Sequence, residues 1–280
     1  MPELAYVNGK ISSIETAMVP VEDRGYQFGD AVYEVIVSYN GHLFALEEHL
    51  DRLERSMGEL QFPHISRETI HSSIHDFFRR AGLLRAALYM QISRGVGPRS
   101  HGFPETRELQ VVMTVREVDE KPVKHREEGT AAITMKDFRW GRCDIKTVQL
   151  LPNVLAKQKA TESGADDAIF VGDGNVVREA TSSNVFIVVD GTIVTHPLTQ
   201  NILPGITRTV IIDICKDLSI PLEERFYFLN DLYSADEVFM TGTITEVLPV
   251  VMIDSNLIGD GKVGPISKQL YRALHEKINN

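Results

Sequence analysis

Within RWGRCDIKTVQLLPN, residues 139 to 153, one lysine stands between Ile145 and Thr147, with Val148, Leu150 and Leu151 close behind. A lysine acts as a nucleophile only when its amine is neutral, and the free amine titrates near 10.4. An apolar setting favours the neutral form, and so does an imine, which removes the amine altogether. Lys146 has that setting, whereas Lys157 and Lys159 fall on a helical stretch. Alternation along a strand would also turn a single cation to water, so the lysine gains meaning only from its partners.

Those partners come in order along the chain. In VVREATSSNVF, Glu179 precedes the small polar run Thr181-Ser182-Ser183-Asn184. The run reads either as a hydroxyl-rich turn or as a carboxylate able to hold a proton on a heterocyclic nitrogen beside hydroxyls that bind oxygens. LPGITRTVIIDI places a glycine before a helix start, where the amides of Ile206 and Thr207, the Thr207 hydroxyl and the helix dipole suit an anion. MTGTITEV offers a second such turn at Thr241, Gly242 and Thr243. In EEHLDRLERSM, at ~100° per residue, Arg52 borders the leucine stripe while Arg55 points away from it. The loop RGVGPRSHGFP carries Arg99 and His101 two apart, a guanidinium and an imidazole able to clamp a small carboxylate.

The elements that must position these groups follow from pattern. AVYEVIVSYNGHLF, residues 31 to 44, alternates and turns at Asn40-Gly41, a hairpin signal. Leu46, Leu50, Leu53, Met57 and Leu60 mark a helix, and Ser66 caps a second one carrying Ile70, Ile74 and Phe77. Strands are predicted at 87 to 93, 109 to 115, 130 to 135, 143 to 149, 167 to 171, 176 to 178 and 184 to 189. Helices are predicted from Pro152 to Gly164 and from PGITR onward, and the end reads as strand, TGT loop, strand and helix. The elements do not alternate regularly, so the fold class expected is α+β. The charged, aperiodic VDEKPVKHREEG suggests a boundary: a small domain over 1–118, a linker at 119–124 and a larger domain over 125–280.

At 280 residues with 43% apolar and 24% charged residues the chain is an ordinary globular one, and its net charge of −10 argues against nucleic acid or an anionic membrane surface. The two cysteines, Cys143 and Cys215, form no framework, no metal site is expected, and no signal peptide or spanning segment is evident. A soluble cytoplasmic protein is the expectation.

Six segments, EDRGYQFGDAVYEV, EEHLDRL, RWGRCDIKTVQLLPNVLAKQKA, REATSSNVF, ILPGITR and TGTITEVLPV, resemble in order the fold-type IV aminotransferases that use pyridoxal 5'-phosphate. The resemblance runs from about residue 20 to residue 265. It implies a two-domain fold, a smaller N-terminal α/β domain and a larger C-terminal pseudo-barrel domain. It implies that Lys146 is the Schiff-base lysine and that Glu179 pairs with the pyridine nitrogen. It places Arg52, Ile206, Thr207 and Thr243 at the phosphate, Ser182 and Ser183 beside the cofactor, and Leu203 against its ring. SRGVGPRSHGFP is similar to the D-amino acid aminotransferase branch, in which Arg99, His101 and Tyr33 would trap the substrate α-carboxylate. That branch implies a homodimer with composite active sites, the trap loop reaching across from the neighbouring subunit; His49 falls near the pocket on the same pattern. The chain departs from the branch at Gly242, where a serine is usual. Val35 and Val37 would give an apolar lining that shifts side-chain preference toward bulkier groups. The expected activity moves an amino group from a D-amino acid to a 2-oxo acid such as 2-oxoglutarate or pyruvate. Rivals on the same fold are a branched-chain L-amino acid or (R)-amine aminotransferase and an aminodeoxychorismate-type lyase, against which Arg99 and His101 weigh. A cofactor-binding protein without turnover is the rival from another class.

Overall fold

The computed structural model describes residues 3–105, 108–119 and 123–279. Residues 120–122 of the expected linker lie outside the described residues. Packing divides the chain into two units, Met1–Asp119 with Ile145–Gln149, and Glu120–Asp144 with Leu150–Asn280.

The first unit contains β1 (Leu4–Val7), β2 (Lys10–Ser13), α1 (Arg24–Phe28), β3 (Ala31–Tyr39), β4 (His42–Leu43), α2 (Leu46–Glu59), α3 (Arg67–Ala81), β5 (Ala86–Ser93) and β6 (Gln110–Glu117). Its six strands form an antiparallel sheet in the order β2-β1-β6-β5-β3-β4. The β3–β4 turn is made by Asn40 and Gly41, both at positive φ (51° and 83°), which matches the twist of the paired strands. Alternation along β3 sends Val32 and Ile36 to one face, where they meet Leu88, Met90 and Met113 and the stripes Leu50, Leu53 and Met57 of α2 and Ile70, Ile74 and Phe77 of α3. Burying each such side chain stabilises the unit by about 1.5–3 kcal/mol. Ser66 caps α3 by accepting from the Thr69 amide, as its position before the apolar run leads one to expect.

The predicted strand at 143–149 does not form. Residues 145–149 instead lie along the open edge of β3: the Tyr33 amide donates to the Lys146 carbonyl at 3.0 Å and the Val148 amide to the Ala31 carbonyl at 3.2 Å. Only one ladder pair results, Val32 with Thr147, because Thr147 N–H turns back to the Ile145 carbonyl at 2.9 Å.

The second unit runs α4 (Val123–Glu127), β7 (Thr130–Lys136), α5 (Leu151–Glu162), β8 (Asp167–Val171), β9 (Val177–Ala180), β10 (Asn184–Val189), β11 (Thr192–Thr195), α6 (Ile206–Asp217), β12 (Leu222–Glu224), α7 (Leu229–Tyr233), β13 (Glu237–Gly242), β14 (Glu246–Ile253), β15 (Asn256–Leu257) and α8 (Pro265–Asn279). Strands β10, β13, β14, β7, β8 and β9 follow one another by pairing, and β9 pairs back to β10, so six strands close into a barrel-like ring. The β14–β7 and β7–β8 pairs are parallel and the rest of the ring antiparallel. Val185 and Ile187, Val238 and Met240, Leu248 and Val250 share one face and form a continuous core with Ile169 and Ala180. Ala156 and Ala160 of α5 pack on Ala168 and Phe170 of β8. The fold is two-domain α+β. Among the described residues no helix is long and apolar enough to cross a membrane.

Candidate active site

The ring of the second unit closes through a single residue pair, Glu179 at the end of β9 and Asn184 at the start of β10. Asn184 Nδ2 donates to Glu179 Oε2 at 3.1 Å and to the Leu203 carbonyl at 2.9 Å, and the Leu203 amide donates back to the same carboxylate oxygen at 3.0 Å. Carboxylate, amide and the loop before α6 are thereby locked together. On the other side Arg139 Nη1 pairs with Glu179 Oε1. Arg139 in turn grips Asp137 through Nε at 3.0 Å and Nη2 at 2.8 Å, and its guanidinium lies 4.4 Å over the Phe170 ring. Burial pushes the Glu179 carboxyl above the usual carboxylate range, with the Arg139 charge and the Leu203 amide pulling the other way. Burial also works against an ionised Asp137, but Arg139 and Arg178 outweigh it and hold that carboxyl low.

The same loop leads into α6. No side chain caps that helix, so the first-turn amides, those of Ile206 and Thr207 among them, lack intrahelical partners at the positive end of the dipole. A Cβ on Gly205 would stand 2.1 Å from Asn184 Oδ1, so only glycine allows Asn184 to come this close to the helix start. Across the sheet, Thr241 pairs with Asn184, and its hydroxyl is buried with no hydrogen-bond partner among the described residues. Ser183 Oγ donates to Thr245 Oγ1 at 3.1 Å, Thr243 is half-buried and Ser182 is exposed. A Cβ on Gly242 would lie 3.2 Å from both the Ser182 carbonyl and Ser183 Oγ, which leaves a side chain there little room.

In the first unit the edge segment along β3 sets Lys146. Its amide donates to Ser56 Oγ at 3.4 Å, and its Nζ lies 4.2 Å over the Tyr33 ring. Among the described residues Nζ makes no ion pair. Tyr33 shares its sheet face with Val35, Val37 and Tyr89, the two tyrosine rings 5.6 Å apart. The opposite face holds Glu34, fully buried, which accepts Arg52 Nε at 2.8 Å and Nη2 at 2.7 Å, with His49 Nδ1 at 2.7 Å. Burial alone would raise the Glu34 carboxyl, but the charge and hydrogen bonds of Arg52, followed by those of His49, bring it down to about 2. Burial depresses His49, so a neutral imidazole donates Nδ1–H to an ionised Glu34. Arg52 is therefore bound to a carboxylate of its own unit, and Arg55 is exposed.

The family described as Amino-transferase class IV matches residues 31–253. The chain belongs to the class IV aminotransferases. This aminotransferase is 42% identical over 272 residues to the D-alanine aminotransferase of Bacillus licheniformis, covering 97% of this chain and 95% of the relative. It is 43% identical over 277 residues to that of Listeria innocua, with 97% and 95% covered. Among solved structures, the branched-chain amino acid aminotransferase of T.th. with pyridoxamine 5'-phosphate superposes with a TM-score of 0.91 at 28% identity, covering 99% of this chain and 94% of that one. The branched-chain enzyme from Escherichia coli gives 0.88 at 28%, with 98% and 94% covered.

The aminotransferase carries Arg99 and His101 on an exposed loop of the first unit. Arg99 Cζ lies 5.0 Å over the Phe28 ring, and the His101 ring meets Phe28 edge-on at 5.6 Å. The residues of the second unit fit pyridoxal 5'-phosphate, the cofactor the sequence resemblance implies. A buried carboxylate suits a protonated ring nitrogen, and the uncapped start of α6 with the unpartnered Thr241 hydroxyl suits a phosphate. The sequence reading missed Glu34, the Asp137–Arg139 pair and the clamp made by Asn184. Glu34 had a visible signal, a carboxylate between Val32 and Ile36 on the core side of an alternating strand. Arg139 had none, since its partners are spread over residues 137 to 201.

Proposed function

We propose that the enzyme moves the amino group of a D-amino acid to a 2-oxo acid with pyridoxal 5'-phosphate as cofactor. The observation that carries this reading is the pair Arg99 and His101 gathered on one aromatic ring, a guanidinium and an imidazole whose chemistry suits an α-carboxylate. Relatives at 40–43% identity over almost the whole chain, named D-alanine aminotransferases, support it. The cofactor supplies a carbonyl that takes up the amino group and a ring that accepts the electron pair left at Cα. Lys146 Nζ would be the amine that holds the cofactor through that carbonyl, and when free it would move the proton at the substrate Cα. Glu179 would pair with a protonated ring nitrogen, whose own charge would favour the ionised carboxylate over the neutral form that burial promotes. The amides of Ile206 and Thr207 and the hydroxyls of Thr207 and Thr243 would donate to the phosphate, with Arg52 as its guanidinium. Ser182 and Ser183 would flank the cofactor and Leu203 would pack against its ring. Arg99, His101 and Tyr33 orient the substrate carboxylate and so select the enantiomer.

The working form in this proposal is a cytoplasmic homodimer in which the Arg99–His101 loop serves the neighbouring subunit. Met18, Val21 and Tyr26, 84%, 79% and 81% exposed, supply apolar surface in the same unit for such an interface. The test is the absorption of cofactor-loaded enzyme on adding D-alanine, then L-alanine, without an acceptor. Rapid loss of the long-wavelength band with the D form alone, matched by pyruvate formation, is expected. Conversion by L-alanine instead would move the enzyme to branched-chain specificity.

A further inference from the structure

We propose that Arg24, together with Phe28, is the positioning device that presents Arg99 and His101 to the substrate carboxylate; this rests on the carboxylate role given to those two residues. The loop at residues 94 to 104 holds three glycines and two prolines, and Pro98 through Phe103 are exposed. Ordering backbone residues costs conformational entropy, so a loose loop carrying two long donors would lose much of its binding energy to becoming ordered. Arg24 removes that cost in advance. It is only 4% exposed, its Nε donates to Asp30 Oδ2 at 2.8 Å, and its remaining nitrogens reach three consecutive carbonyls of the loop. Nη1 donates to Ser100 at 2.6 Å and to Gly102 at 3.1 Å, and Nη2 to His101 at 3.4 Å. Arg99 immediately precedes this stretch and His101 lies within it, so fixing residues 100 to 102 fixes where both emerge.

The rest of the frame holds the ends of the loop. Arg94 shares Asp30 at 2.9 Å, binds the Leu60 and Gln61 carbonyls at 2.7 Å and 2.9 Å, and stacks 3.8 Å over Phe103. Arg24 N–H donates to the Gly95 carbonyl at 2.9 Å, and Arg24 Cζ lies 4.9 Å over Phe28, the same ring that meets Arg99 and His101. Phe28 is thus a shelf for three cationic or polar side chains, and Arg24 ties the loop down beside it. A lysine at position 24 can keep the charge opposite Asp30 but has no planar fork to span three carbonyls.

The experiment compares wild type, Arg24→Lys and Phe28→Leu by hydrogen exchange and by steady-state kinetics on D-alanine and pyruvate. Faster exchange in peptides covering residues 96 to 105, with the β3 and α2 peptides unchanged, is expected for Arg24→Lys. In both variants KM for D-alanine and for pyruvate should rise about tenfold or more while kcat stays within about threefold, because the carboxylate is held less well and the Lys146 step is untouched. Unchanged loop exchange in Arg24→Lys, or a fall in kcat at constant KM in either variant, would overturn the proposal. Phe28→Leu keeps every carbonyl bond of Arg24, so it decides the matter should Arg24→Lys not fold. A wild-type enzyme inactive on D-alanine would instead remove the carboxylate reading, and the exchange result would still report whether Arg24 orders the loop.

Discussion

Glu34 shows how one residue can tie stability to the site. It lies on the core face of β3, fully buried, where Arg52 and His49 make its charge tolerable. Because its carboxyl titrates near 2 in the folded chain and near 4.5 when free, it contributes about 3 kcal/mol that is complete above about pH 4.5 and fades as pH falls toward 2. Glu34→Gln keeps the shape but removes the negative charge that Arg52 and His49 face, and breaking a buried pair costs about 3–5 kcal/mol. The variant should therefore be markedly less stable in urea at neutral pH, and the gap to wild type should narrow on acidification below about pH 4.5. A gap that stays constant down to about pH 3 would mean that packing, and not charge, makes Glu34 important.

Among the elements, what pattern could predict was local. The alternation of residues 31 to 44 and the leucine spacing of 46 to 60 were legible because each reflects burial against one continuous core, and β3, β4 and α2 form where expected. The hairpin of β1 and β2 turns at Asn8-Gly9, the same signal as Asn40-Gly41, but its strands are too short to show a period. The segment at 143–149 misled because its apolar residues answer to the bare edge of β3, a partner more than 100 residues earlier. Ring closure was equally out of reach, since β14 and β7 pair in parallel across the length of the unit and β9 meets β10 through one residue pair. In the site, Lys146 and Glu179 stood out by residue type, whereas Arg24 could not, its carbonyl partners being 76 to 78 residues away. Gly205 belongs to this scale as well, because the start of α6 depends on its missing side chain. Gly205→Ala must displace Asn184 from Leu203 and Glu179, two hydrogen bonds at about 1 kcal/mol each. Cofactor affinity, titrated by fluorescence on the apo enzyme, should fall about tenfold or more. Unchanged affinity would show that the Asn184 clamp does not set the site.

For the whole molecule, the proposed roles divide between the two packing units. Lys146 and Arg52 belong to the first, and Glu179, Ser183, Ile206, Thr207 and Thr243 to the second. Each unit has its own hydrophobic core. The covalent bond and the non-covalent grip are then separable by one substitution. Lys146→Ala removes the amine but none of the donors at α6 or Glu179, so turnover should drop by at least about 10³-fold while the cofactor still binds. A ligand present at a hundred times its Kd stabilises the form that binds it by about 2.7 kcal/mol. Thermal unfolding of Lys146→Ala with saturating cofactor should accordingly still shift upward, by less than in the wild type because the affinity is lower. A Lys146→Ala enzyme that turns over normally would remove the lysine from the chemistry. One that shows no shift at millimolar cofactor would mean that the uncapped start of α6 and the Glu179 seam do not by themselves hold the phosphate and the ring.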